Sequence, residues 1–247
     1  MKLIKTITLL FILTISSLHA QKVDTIRVGH RFKQFKNLEM GTVTDLVYNE
    51  ANGRLNASIK TRTTEMVNIN GKEYVRIRHE WNSPNQQWVG HFEYFCEPYT
   101  MKPVQHIRYT KTQGKEAFSF EANQVTGLDS ALDNKQADFE LALTEGTYNW
   151  EVDLETYSLI PMSEGKKVVM NFYHPGGQTP PDFYTLEVEG SEKLKLANGK
   201  TMDCWIIYTD YRGTQPTRFW YTKRGQNFVK MESQYNQMKI RKVRLYE

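Results

Sequence analysis

Cysteine is almost missing from this chain: two thiols, Cys96 and Cys204, in 247 residues, too few for the staples that hold a disulfide miniprotein together. Neither has a His or a second Cys at ligand spacing, which argues against a cysteine metal site or a catalytic thiol. Both lie in strand-like apolar runs, Phe92-Glu93-Tyr94-Phe95-Cys96 and Met202-Asp203-Cys204-Trp205-Ile206. A free Cys serves there as a small buried hydrophobe, so the two are expected to be unpaired. Proline and glycine are also sparse, 8 and 15 residues, which excludes a collagen-like or low-complexity chain. Neither sign of charge dominates, with 32 Lys plus Arg against 28 Asp plus Glu. A mean hydropathy of −0.61 and the lack of any second long apolar run exclude a multispanning membrane protein.

The one apolar run opens the chain. Lys2 and Lys5 precede Thr6 to Ile15, followed by Ser16, Ser17, Leu18, His19 and Ala20, the charged, apolar and small-residue order of a secretory signal peptide. It is shorter than the roughly 20 apolar residues that a bilayer core needs. A signal peptide over 1–20 with cleavage after Ala20 is therefore expected, with no transmembrane anchor afterwards and a periplasmic or secreted destination. Cleavage removes two lysines and no acid, leaving 30 basic and 28 acidic side chains, net +2. The densest basic cluster, Lys239, Arg241, Lys242 and Arg244, alternates with Met238, Ile240, Val243 and Leu245. It reads as a solvated strand face, and no nucleic-acid partner is expected.

The dominant period is two. Phe118 and Phe120, then Phe139, Leu141 and Leu143, then Tyr184, Leu186 and Val188, then Cys204, Ile206 and Tyr208 each line one face of an extended segment. Asn52-Gly53, Asn70-Gly71 and Asn198-Gly199 supply the left-handed positions of tight hairpins. A two-residue loop at Asn70-Gly71 puts Val67 opposite Tyr74 and Met66 opposite Val75, with apolar groups on both faces of a hairpin expected to be covered on both sides. Roughly fourteen to sixteen strands follow one another with no βαβ alternation. The fold class is mainly β: a curved antiparallel sheet or half-barrel with one or two short helices. Residues 21–247 form one antiparallel β domain, or two lobes meeting near 127–144, where Gly127, Asp129, Ser130, Asp133 and Asn134 interrupt the pattern. Tyr148, Trp150, Val152 and Leu154 alternate like a strand, but Asn149 is a good N-cap, Glu151 and Asp153 suit a first turn, and Pro161 forbids continuation. A short helix is predicted over about 150–159, its apolar face against the concave side of the sheet.

Catalytic signatures do not stand out. There is no Gly-x-Ser-x-Gly, no His-Glu-x-x-His and no clustered Cys/His spacing. His30, His79, His91, His106 and His174 are scattered. His91 and His106 could meet across adjacent strands to hold a metal, but solvent-facing strand histidines are the expected reading. Glu187 and Glu189, and Glu151, Asp153 and Glu155, read as polar faces of their elements. No catalytic residue, metal or cofactor is assigned. The loop from His174 to Asp182 has the small residues of a phosphate cradle but no following helix, so it is taken as a hairpin tip or the rim of a site. Aromatics carry the remaining signal: 5 Trp, 14 Tyr and 12 Phe exceed what a sandwich core of this size needs, and can line an apolar cavity, stack on sugars or pack.

The segments Asn149-Trp150-Glu151-Val152-Asp153-Leu154-Glu155, Leu159-Ile160-Pro161, Leu186-Glu187-Val188-Glu189-Gly190-Ser191-Glu192, Asp203-Cys204-Trp205, Phe219-Trp220-Tyr221 and Val229-Lys230-Met231-Glu232 stand in an order that resembles a family of exported bacterial proteins. That family is catalogued as a domain of unknown function and is common in the Bacteroidota. The likeness runs from about Asn149 to the C-terminus, and more weakly back to about Met40. In architecture the family is similar to the β half-barrels of periplasmic lipoprotein carriers. The resemblance implies a curved antiparallel sheet around an apolar cavity, and export; it brings no catalytic residue with it.

Three functions compete. The first is a non-enzymatic envelope protein binding an apolar or lipid-like ligand in the concave face of the sheet, with Trp150, Tyr157, Trp205 and Trp220 as lining residues and Arg218 at the rim for an acidic head group. The second is a scaffold module with a filled core and an envelope protein as partner. The third is a hydrolase of envelope carbohydrate, which would require two acids about 5 to 9 Å apart in an aromatic-lined cleft.

Overall fold

Alternating faces and tight turns give sixteen strands in one sheet among the described residues. The structure, a computed structural model, describes residues 23–86, 89–196 and 199–246; the expected signal peptide and its cleavage site lie outside them. In chain order the strands are β1 (Asp24–Ile26), β2 (Gly41–Ala51), β3 (Arg54–Ile69), β4 (Lys72–Asn82), β5 (Gly90–Cys96), β6 (Pro103–Thr110), β7 (Gly114–Phe120), β8 (Gln124–Gly127), β9 (Glu140–Ala142), β10 (Tyr148–Asn149), β11 (Lys167–Tyr173), β12 (Asp182–Lys195), β13 (Thr201–Thr209), β14 (Thr217–Thr222), β15 (Phe228–Tyr235) and β16 (Met238–Leu245). Consecutive strands from β2 to β9 and from β11 to β16 pair antiparallel, and β16 joins the two meanders by pairing with β2. β1 and β10 instead lie parallel to β11.

Asn52 and Gly53, and Asn70 and Gly71, all have positive φ, as two-residue hairpin loops demand. The second sets the register expected of it, Val67 opposite Tyr74 and Met66 opposite Val75. Its tip is not covered on both sides, however: Val75 is buried but Met66 is 40% exposed. β2 pairs with β3 only as far as Thr64, so the end of β3 overhangs its neighbour. In the third hairpin Leu196 N–H donates to Lys200 O, and Asn198 lies outside the described residues. β16 also departs from expectation. Its ladder to β2 is unbroken from Lys239 to Leu245, so the face cannot switch phase where the apolar pattern does, between Ile240 and Val243. Lys242 and Arg244 therefore turn to the inner face, and Val243 and Leu245 are exposed.

The helix forms where capping placed it. Asn149 is extended and its Oδ1 accepts from Glu151 N–H at 3.1 Å. A 3-10 turn (Trp150–Val152) leads into α1 (Asp153–Tyr157). Carbonyls past its end are met by Gln226, whose Nε2 donates to Ser158 O and Ile160 O, both at 2.9 Å, so the C-terminal acceptors are not left unpaired. Leu154, Tyr157, Leu159 and Ile160 pack with Phe172, Phe219, Tyr221 and Phe228 in the main core. Side chains of α1 thus meet β11 and β14 on one side and, through Glu155 and Arg62, β3 on the other. Those outer strands are seven spacings apart in the sheet, roughly 33 Å if it were flat. A five-residue helix reaches both only because the sheet wraps around it. The sheet does not close, but its ends approach: Tyr173 of β11 packs with Phe118, Phe120 and Val125 of β7 and β8. Cys96 and Cys204 are buried, free and in separate clusters.

Candidate ligand-binding cleft

At one end of the wrapped sheet an open cleft of about 680 Å³ lies between the start of the helical segment, the 174–182 loop and the turn after β13. Its apolar wall comes from four elements. Trp150 follows the Asn149 cap, Phe172 lies next to the end of β11, Tyr184 is the third residue of β12 and Tyr211 sits in the turn after β13. The Trp150 ring centroid lies 4.7 Å from that of Tyr184 and 4.8 Å from that of Tyr211, with Tyr184 and Tyr211 5.7 Å apart. At these separations the rings touch one another, so they make a continuous wall rather than a cage with space for a cation between them. Tyr211, Arg212 and Gly213 all have positive φ. The turn is fastened by Arg212 N–H donating to Asp210 Oδ1 at 3.0 Å and by Thr214 Oγ1 donating to Tyr211 O at 2.7 Å.

The rim is charged in pairs. His174 Nδ1 lies 2.9 Å from Glu151 Oε1, and the Arg212 guanidinium bonds the Asp182 carboxylate. Burial alone would push the Glu151 carboxyl up, but the hydrogen bond and charge of His174 outweigh it and hold the group well below the usual carboxylate range. Reciprocally, burial pulls His174 down, and Glu151 more than reverses it, so the imidazole pKa is raised. The loop over 174–182 supplies His174, Thr179, Pro180 and Asp182 to this rim.

Beneath the helix a second polar layer crosses the inner face. Arg62 Nε donates to Asp45 Oδ2 at 2.7 Å and Nη1 to Glu155 Oε1, all three buried. His79 Nε2 stands 3.9 Å from Glu155 Oε1, beyond hydrogen-bond reach. From His79 a row of rings runs across the strands, with centroid spacings of 4.8 Å to Tyr94, 4.8 Å to His106 and 5.8 Å to Phe118. Burial depresses His79 to about 4 and His106 to about 3. Lys60, 4% exposed, lies over Trp81 with Nζ 5.1 Å from the ring centroid, and burial, then Lys242, push it down to about 7.

The residues expected to line a cavity are scattered through the fold. Trp150 lines the cleft. Tyr157 is fully buried behind it, against Phe172 and Phe219. Trp205 is on the inner face opposite Tyr221, under Lys223, away from the cleft. Arg218 and Trp220 are on the outer face, because Phe219 and Tyr221 take the inner one. Arg218 there makes a bidentate pair with Glu189, at 2.6 and 2.8 Å. His106, expected to face solvent, points inward at 0% exposure, as does His79 at 1%, whereas His91 is exposed as expected. His106 and the exposed His91 occupy opposite faces and do not meet, since His106 pairs with Tyr94 and His91 with Tyr109. Glu155 and Glu151 are not a solvated helix face either; they are the helix's ionic contacts. Tyr211 and Arg212 were missed, and only the neighbouring Gly213 hinted at their turn.

A mostly antiparallel sheet wrapped around one short helix, open at the end where aromatics gather, defines a β half-barrel. The chain belongs to the family described as "Protein of unknown function (DUF3108)", which matches residues 45–242, in keeping with the resemblance to a family of unknown function. No curated protein matches the chain. Among solved structures it is similar to a DUF1329 family protein from Desulfovibrio piger ATCC 29098, at 10% identity over 86% of this chain and 87% of that one, with a TM-score of 0.32. It is also similar to the hypothetical lipoprotein YmcC from Escherichia coli (K12), at 10% identity over 81% of this chain and 86% of that one, with a TM-score of 0.28. Likeness at that level transfers nothing of either protein to this chain. Among the described residues no helix is long and apolar enough to cross a membrane.

Proposed function

We propose that this is an exported envelope protein that binds a ligand with an apolar, lipid-like portion, non-covalently, in the cleft at the open end of the half-barrel. The observation that carries the reading is the contiguous wall of Trp150, Tyr184 and Tyr211 in an open cleft of about 680 Å³, a size that suits a small amphiphile. Trp150 is the lining residue that the sequence and the cleft share; Tyr157 supports the wall from behind through Phe172. The four charged groups at the rim are engaged with one another, which suits binding better than proton transfer.

The test is titration with the apolar fluorophore 1-N-phenylnaphthylamine. Saturable enhancement in the wild type is expected, with affinity about tenfold weaker in Trp150→Ala, the loss of one aromatic face, and thermal melts should show that the variant stays folded. Equal affinity in a folded Trp150→Ala would reject the cleft as the site. Export is checked by the intact mass of protein recovered from the cell envelope, expected to begin at Gln21.

A further inference from the structure

The rim charges say what kind of head group the cleft takes. Two pairs face it, Glu151 with His174 at 2.9 Å and Asp182 with Arg212, and each contributes one charge of either sign. Gln215, also at the cleft, adds an uncharged amide. An acidic head group would gain Arg212 and His174 only by displacing or approaching two carboxylates, and a cationic one meets the converse. With His174 protonated the two pairs carry equal numbers of positive and negative groups, so the pairs themselves favour neither sign. A hydroxyl is both donor and acceptor. It can donate to the carboxylate and accept from the guanidinium or imidazolium of the same pair, with the pair intact and already oriented. The touching rings of the wall, set at 36° to 75° to one another, add an apolar surface against which a chain or the C–H face of a sugar packs.

We infer that the ligand's polar end is uncharged and rich in hydroxyls, so that the occupant is a neutral glycosylated amphiphile, its head between the two ion pairs and its apolar part on Trp150. This rests on the proposed cleft and adds the head-group chemistry to it. Arg212 is 64% exposed and touches the ligand without holding the fold. Asp182 Oδ1 also accepts from Phe183 N–H at 2.7 Å, a bond that Asn retains.

The experiment uses three amphiphiles with the same decyl chain, each below its micelle concentration, measured by calorimetry at pH 6: decyl glucoside, decanoate and decyltrimethylammonium. The wild type is expected to bind the glucoside about tenfold more tightly than either ion, the worth of one charge-assisted hydrogen bond. Arg212→Gln leaves Asp182 unmatched and should shift preference toward the ammonium; Asp182→Asn leaves Arg212 unmatched and should shift it toward decanoate. The inference is overturned if either ion equals the glucoside in the wild type, or if preference ignores both substitutions. If 1-N-phenylnaphthylamine binds through Trp150 while none of the decyl compounds does, the head-group assignment falls and the apolar cleft stands. If neither the fluorophore nor any decyl compound binds, both fall.

Discussion

Trp220 packs on the outer face among Cys204 and Val229, its Nε1 donating to Glu192 Oε1 at 2.9 Å and its ring 3.9 Å from Lys230 Nζ. Trp150 meets three other rings and still faces the cleft. The same residue type therefore fails differently at the two positions. Trp220→Ala leaves a cavity and an unpaired carboxylate, and is expected to cost about 3–5 kcal/mol in denaturant unfolding while fluorophore affinity at the cleft is unchanged. A cost within about 0.5 kcal/mol, the range of an ordinary surface substitution, would contradict the packing role. The Arg62 guanidinium is a third case. It is buried between Asp45 and Glu155, where its favourable contacts work against a desolvation penalty, and it ties α1 to β3. The thiols contribute packing rather than chemistry, since burial pushes Cys96 up to about 12 and Cys204 up to about 11, far from the thiolate form at neutral pH.

The segment after β8 depends on a glycine in the same way that the hairpins depend on theirs, but through space rather than φ. A Cβ on Gly127 would stand 2.1 Å from Gln136 O and 2.3 Å from Ala137 O, and those backbone atoms cannot step aside as a flexible side chain would. Gly127→Ala should therefore break the bond from Gly127 N–H to Phe139 O and detach the edge. Hydrogen exchange would report it as lost protection over 128–142 with β2 to β4 unaffected; unchanged exchange there would show that the edge tolerates the clash. Nothing in the local sequence announces this contact, because its partners are nine and ten residues away in a stretch without period. What could be read was local: Asn-Gly turns fix register, and Asn149, Glu151 and Pro161 bound a helix without any tertiary information. What could not be read was phase. Alternation says that Phe219 and Trp220 face opposite ways, not which of them faces the helix, and that choice removed Arg218 and Trp220 from the candidate site. The buried ionic layer was hidden for a related reason. Polar alternation on β3, with Ser58, Lys60, Arg62 and Thr64 on one face, looks solvated until a helix carrying Glu155 is laid over it.

Over the whole molecule, that layer sets how folding responds to acid. His79 and His106 titrate at about 4 and about 3 in the folded protein because burial disfavours their charged forms. Unfolded, each takes up its proton near 6.5, so below that pH the unfolded chain holds up to two more protons than the native one and stability falls. Asp153 acts in the opposite direction. Burial raises it to about 6, so from pH 6 downward the native state holds one proton that the unfolded chain binds only near 3.8. His174, whose pKa is raised, contributes stability that is already fully present below 6.5. Glu151 and Glu155, held low by His174 and Arg62 against their own burial, keep theirs until the pH falls below about 4.5. Between pH 6 and 4.5 the balance is one net proton favouring the unfolded state, or about 1.4 kcal/mol per pH unit, so stability should drop by about 2 kcal/mol across that window. His106→Phe, which keeps an aromatic ring beside Tyr94 and Phe118, removes one of the two histidine contributions and leaves the other balanced by Asp153. Denaturant unfolding of this variant should then be nearly independent of pH from 6 to 4.5. A wild type equally stable at both pH values, or a variant with the same slope as the wild type, would show that the buried histidines do not govern the acid response.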